Sequence, residues 1–149
     1  MRRKIKTNNT QKMVLFEKKK KALDFFLTKL LKAETASNVA KIYLFGSFHK
    51  GEFDERSDID ILIVSFNGRE GLAEFCLDLS FDISSHFAEF IETHIYDIYD
   101  WQFPPNYLVY RVKKSGREIY SVDEKEIKRR EIEGFMELAQ EYLNGSEHL

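Results

Sequence analysis

One cysteine, two prolines and no apolar run of membrane-spanning length set the first limits on this chain of 149 residues. Cys76 cannot close an internal disulfide. Its neighbours Leu72, Phe75 and Leu79 recur at helical spacing, so it reads as a core thiol rather than a redox centre. A bilayer-crossing helix needs about eighteen consecutive apolar residues, and the sequence offers none; nor does its basic start carry the apolar stretch of a secretory signal. The histidines, His49, His86, His94 and His148, are not spaced as zinc ligands, and a lone cysteine does not complete a structural zinc site. A net charge of −2 gives no overall attraction to polyanions, so direct nucleic-acid binding is not expected. Repeats, low-complexity blocks and linkers are missing as well. What remains is a cytoplasmic chain with one core, and 43% hydrophobic with 14% aromatic content suffices to fill it.

Against this plain background, residues 46–60 stand out: GSFHKGEFDERSDID, a Gly-Ser pair and two aspartates one residue apart, flanked by apolar segments. Ile42-Tyr43-Leu44-Phe45 before it and Ile59 to Val64 after it are short and rich in β-branched and aromatic residues, so both read as strands. Gly46 lets the backbone turn sharply and approach a ligand, and Ser47 adds a hydroxyl and an N–H where a short helix should begin, a setting that favours anions. With a side-chain period of two, Asp58 and Asp60 project from one face, about 6.5 to 7 Å apart along the backbone. Two carboxylates so placed repel, which raises one pKa unless a cation lies between them. Hard oxygen donors point to Mg2+ or Mn2+ over zinc. An aspartate pair that only caps a turn is the plainer alternative, but capping does not require a Gly-Ser bend at a set distance upstream.

This stretch resembles the signature of polymerase-β-like nucleotidyltransferases, in particular the minimal nucleotidyltransferase (MNT) proteins, with their Gly-Ser, ten residues, Asp-x-Asp pattern. The likeness continues downstream. His94 to Trp101 looks like the family's third strand, with Tyr96-Asp97-Ile98 matching its apolar-Asp-apolar core, and Tyr110 to Tyr120 looks like its helix, Gly, strand, Tyr segment. The resemblance therefore spans roughly residues 42 to 120. It implies an α/β (α+β) chain with the polymerase-β-like nucleotidyltransferase fold, a small mixed sheet covered by helices. It further implies two Mg2+ ions held by Asp58 and Asp60, with Asp97 as third carboxylate; Asp100 and Glu92 are nearby alternatives. Gly46 and Ser47 would hold the β and γ phosphates of ATP, and Lys50, where the family often has arginine, would touch the triphosphate or face solvent. MNT proteins of this size are typically antitoxins paired with a HEPN ribonuclease toxin. The resemblance thus implies transfer of AMP from ATP to a tyrosine of such a partner. Two other readings stay open: a non-catalytic binding module, and adenylylation of a small molecule such as an aminoglycoside.

The remaining sequence frames this centre. Residues 1–12 read as a flexible basic tail and 13–149 as a single domain. Val14, Leu15, Ala22, Phe25, Phe26, Leu30 and Ala33 predict a first helix whose Lys18 to Lys21 run is expected to be a solvated face. Leu72, Phe75, Leu79, Ile83, Phe87 and Phe90 predict a second, over about 70–91, after a turn at Asn67-Gly68. Pro104-Pro105 should end the third strand. A last helix over 123–143, with Asp123 as N-cap, carries an apolar stripe (Ile127, Ile132, Phe135, Leu138, Ala139, Tyr142, Leu143) expected to cover the core, with a partner as the alternative.

Overall fold

β1 (Val39–Phe45) and β2 (Ile59–Ser65) are the inner strands of a single four-stranded sheet and run antiparallel, with Phe45 opposite Asp60. β4 (Arg117–Ser121) pairs antiparallel with β1, and β3 (Ile91–Asp97) pairs parallel with β2, so the order is β3-β2-β1-β4 and the sheet is mixed, as expected. A parallel pair cannot be joined by a tight turn; the crossover is helix α3 (Arg69–Phe87). The structure, a computed structural model, describes residues 9–66 and 69–147, so most of the basic tail and the Asn67-Gly68 turn lie outside the described residues. Among them no helix is long and apolar enough to cross a membrane.

The side-chain alternation of β2 builds two cores. Ile59, Ile61 and Ile63 face α1 (Asn9–Lys32) and α3, where Ala22, Phe26, Leu30, Leu72, Cys76 and Ile83 are buried with Ile42, Leu44, Ile91 and Ile95. Leu62 and Val64 face the other way, onto Trp101, Val109, Val112 and Ile127, from α4 (Ile98–Gln102), α5 (Tyr107–Ser115) and α6 (Glu124–Glu147). Coverage on both faces is why β2 is nearly unbroken in apolar residues past Asp60. β1 shifts register between Val39 and Lys41, and the irregularity lets Val39 and Ile42, an odd number of residues apart, enter the same cluster.

Several expectations need correction. Lys18, Lys20 and Lys21 are exposed, but Lys19 is fully buried, turned inward with Ala22, Leu23 and Phe26 on the apolar face of α1. The third strand starts at Ile91 and ends at Asp97, earlier than His94 to Trp101. There the Asp97 carboxylate accepts the Asp100 N–H at 2.8 Å and starts α4 instead, so it is α4 that ends just ahead of Pro104-Pro105. Phe90, assigned to the second helix, lies beyond its end and is exposed. α6 begins on Asp123, whose carboxylate accepts the Lys125 N–H. It is held to the body by Ile127, by the Glu124–Lys41 ion pair at 2.9 Å and by Arg130, stacked 4.4 Å from the centre of the Phe66 ring. Past that point it covers no core: Ile132, Phe135, Met136, Leu138, Tyr142 and Leu143 are all exposed.

Candidate active site

The bend between β1 and α2 (Gly46–Lys50) is built around a missing side chain. Gly46 has φ +81°, a left-handed conformation that any L residue adopts only under strain. A Cβ there would also collide with Oδ2 of Asp60, its neighbour across the β1–β2 pair. The glycine therefore does two things: it turns the chain and it gives Asp60 room. Phe45 at the N-cap supplies no side-chain acceptor, which leaves the first-turn N–H groups of α2 open to an external one. α2 closes on Gly51, also left-handed at φ +74°.

Asp60 is the electrostatic centre. Burial first, then the Glu92 carboxyl close enough to share a proton with it, then the charge of Asp58, push it up to about 7. Glu92 lies beside it because Asp60 and Glu92 are register partners in the parallel β2–β3 pair. One step along the same face of β3 stands His94, whose Nε2 is 3.6 Å from Glu92 Oε1 and whose ring packs 5.5 Å from that of Phe45. One ligand atom from each of Asp60, Glu92 and His94 lies within 4.8 Å of the others. A set of two mutually repelling carboxylates and an imidazole fits a divalent cation: an ion there would offset the repulsion that adds to burial in raising Asp60, and the oxygen-rich donors suit Mg2+ or Mn2+, the imidazole favouring the latter. Asp58 is exposed at the mouth of β2.

Gly46 also borders a region of opposite charge. A pocket of about 180 Å³ is lined by Phe45, Gly46, His49, Lys50, Leu108, Arg111, Val112 and Ser115. Lys50 comes from α2 and Arg111 from α5, which approaches because Val109 and Val112 are buried against the sheet. Gly46 thus borders both the Asp60 carboxylate and a pocket that carries two strong cations. Such an arrangement can hold a polyphosphate between a metal ion and a guanidinium.

Of the residues expected from sequence, the structure brings together Asp58, Asp60 and Gly46, and puts Lys50 next to Gly46; Ser47 lies in the first turn of α2. It does not bring Asp97 to them. Asp97 pairs in register with Ser65, five residues along β2 from Asp60, about 16 Å away at strand rise. Its carboxylate is engaged in capping α4. Glu92 occupies the position beside Asp60. The signal for it was the alternation Ile91-Glu92-Thr93-His94-Ile95, an acid following the first apolar residue of a strand just as Asp60 follows Ile59. Arg111 had no sequence signal beyond its place in an amphipathic turn; only packing of α5 turns it toward Gly46.

Residues 27–125 match the family model described as polymerase beta, nucleotidyltransferase. A candidate protein adenylyltransferase of Methanocaldococcus jannaschii is 41% identical over 49 residues, which are 33% of this chain and 49% of that protein. The match thus spans about half the length of that relative. Among solved structures, a chain of a toxin–antitoxin complex with AMP-PNP is similar with a TM-score of 0.47 and 17% identity, over 83% of this chain and 97% of that one. A chain of the Shewanella oneidensis complex of a tri-AMPylated HEPN toxin with its MNT antitoxin gives 0.41 and 14%, over 91% and 99%.

Proposed function

The chain belongs to the polymerase β nucleotidyltransferase family, and from that premise we propose that it transfers AMP from ATP to a hydroxyl of a protein partner, a tyrosine of a HEPN ribonuclease toxin, and so acts as an antitoxin. The single observation that carries this reading is that Gly46 touches Asp60 of the Asp60, Glu92, His94 cluster and also lines the pocket bearing Lys50 and Arg111. The similarity to a candidate protein adenylyltransferase, over a third of the chain, supports the same donor and acceptor class. ATP as donor fits a cytoplasmic setting.

Asp58, Asp60 and Glu92, with His94, would hold the divalent metal, two Mg2+ or Mn2+ ions in the family's chemistry. Bound there, the metal supplies charge neutralisation for the triphosphate and a lowered pKa for the acceptor hydroxyl. The rest falls to the chain's own groups. Lys50 and Arg111 orient the β and γ phosphates, and the open N–H groups of α2, with Ser47, complete their cradle. The acceptor oxygen bonds to the α phosphorus as the bond from that phosphorus to the bridging oxygen breaks. Pyrophosphate leaves toward Lys50 and Arg111, and the hydroxyl proton passes to a carboxylate of the acidic cluster. Little covalent work is asked of the protein beyond positioning and charge.

A protein acceptor is favoured over an aminoglycoside by α6, whose exposed Ile132, Phe135, Met136, Tyr142 and Leu143 form an apolar face sized for a macromolecule. Incubation with Mg2+, labelled ATP and a candidate HEPN ribonuclease partner tests the proposal. Label should reach the toxin with the native chain and be lost with Asp60→Ala. Toxin inhibition that survives Asp60→Ala, with no label transferred, would instead favour a binding module.

A further inference from the structure

Lys19 is fully buried and Glu89 is 2% exposed, and their side chains meet at 2.6 Å. The same ammonium donates to the carbonyl of Ser57 at 2.7 Å. Lys19 comes from α1, the helix that packs with Ile59, Ile61 and Ile63 on the sheet face opposite Asp60. What it grips are the Ser57 carbonyl and the Glu89 carboxylate, on the segments just ahead of the acid-bearing strands. Ser57 immediately precedes Asp58, and Glu89 lies three residues before Glu92. These two lead-in segments are joined to each other where the Ile59 N–H donates to the Phe90 carbonyl at 2.8 Å.

Two further features show that this grip is built. Ala88 takes φ +52°, a conformation unfavourable for an L residue, directly before Glu89. The Asp54 to Ser57 turn closes on itself through Asp54 N–H to Ser57 Oγ at 2.9 Å and Arg56 N–H to Asp54 Oδ1 at 2.8 Å, so a hold on Ser57 is a hold on the whole turn. Stability alone does not require such a pair. A buried ammonium and carboxylate lose most of their attraction to desolvation, and apolar residues of the same volume often serve as well or better.

We propose that Lys19 and Glu89 are positioning residues that set Asp58, Asp60 and Glu92 at metal-binding geometry from behind the sheet. This rests on the transferase reading of the site, and deepens it by naming what holds the acids in place. Neither residue is asked to touch metal, nucleotide or acceptor.

The test compares the native chain with Lys19→Met/Glu89→Met, which removes both buried charges and keeps their bulk. Mn2+ affinity by electron paramagnetic resonance, adenylylation kinetics and thermal unfolding are measured on each. The double variant should unfold near the native temperature, yet bind Mn2+ about tenfold more weakly and lose about tenfold in kcat. Its KM for ATP should stay within a factor of two, because Lys50 and Arg111 are untouched. Amides 54–58 should exchange hydrogen faster while those of β1 do not. Should the Met pair fail to fold, Lys19→Gln/Glu89→Gln, one bond too short to hold Ser57, is expected to show the same losses. A folded variant with native Mn2+ affinity and kcat overturns this inference and leaves the transferase reading standing. A native chain that binds no Mn2+ overturns both.

Discussion

Asp60→Asn should make the metal-free protein more stable at pH 8 while abolishing its activity. The carboxyl is pushed up to about 7 from an ordinary 3.8, by burial first and then by Glu92 and Asp58. An acid whose folded-state pKa is raised binds its proton more tightly folded than unfolded. Between about pH 4 and 7 the folded state therefore carries the extra proton, and stability falls as pH rises through that window. If the whole displacement were expressed, the ionised group would cost about 4 kcal/mol at 1.36 kcal/mol per pKa unit. Asp60 is only partly buried and the repulsion is screened, so about 1 to 2 kcal/mol is the reasonable expectation.

For a domain of this size that corresponds to roughly 3 to 8 °C in Tm. Calorimetry in chelator at pH 5 and pH 8 provides the check. At pH 5 the folded carboxyl still holds its proton while the unfolded one has lost it, so about a third of the effect has developed and Asp60→Asn should raise Tm by correspondingly less than at pH 8. At pH 8 the variant should be the more stable of the two. Saturating Mn2+ should reverse the order by stabilising only the native chain, by RT ln(1 + [L]/Kd). A variant less stable than native at pH 8 without metal, or an equal difference at both pH values, would refute the claim that Asp60 sits under repulsion a cation relieves.

Gly46→Ala combines a left-handed strain of about 1 to 2 kcal/mol with a clash against Asp60, and should lower Tm and weaken Mn2+ binding in titrations together. Arg111→Gln should raise the Kd for ATP about 10- to 100-fold, since hydrogen bonds to charged groups contribute about 1.5 to 3 kcal/mol, with Tm unchanged; equilibrium dialysis reads it directly. Burial pushes the Cys76 thiol up to about 12, so the native protein should not react with a thiol reagent at pH 8, whereas the unfolded chain should react at once. Phe135→Ser/Tyr142→Ser should leave stability within about 0.5 kcal/mol of native, as expected of side chains exposed at 76% and 78%, yet should reduce capture of the proposed HEPN partner in pull-downs.

What could be read from the sequence follows a physical division. Local patterns gave the strands around residues 46–60, the crossover helix and the Asp58 and Asp60 pair, because strand alternation and a Gly-Ser bend are decided within a few residues. Glu92 was harder. It reaches Asp60 only through the register of a parallel pair whose strands are separated by a nineteen-residue helix, and nothing local fixes that register. Asp97 looked the better candidate because it too is an acid between apolar residues. The difference lies in Asp100, whose N–H draws the Asp97 carboxylate into a cap and ends the strand.

Lys19 shows a second kind of illegibility. Four consecutive lysines on an amphipathic helix look alike in sequence, and three of them are exposed in the structure. A helical wheel puts Lys19 with Ala22, Leu23 and Phe26, the side that packs inward. Whether a lysine on that side is tolerable depends on an acid seventy residues away and on a free carbonyl at Ser57, neither of which is local. Outside the exposed stripe of α6, apolar pattern therefore locates the core of this fold, whereas the polar contacts that enter the core are settled by tertiary geometry. Those contacts converge here: the Lys19–Glu89 pair behind the sheet and the Asp60–Glu92 pair in front of it lie at the beginnings of the same two strands. A buried charge that adds little to stability would be hard to maintain unless the positions it fixes carry the chemistry.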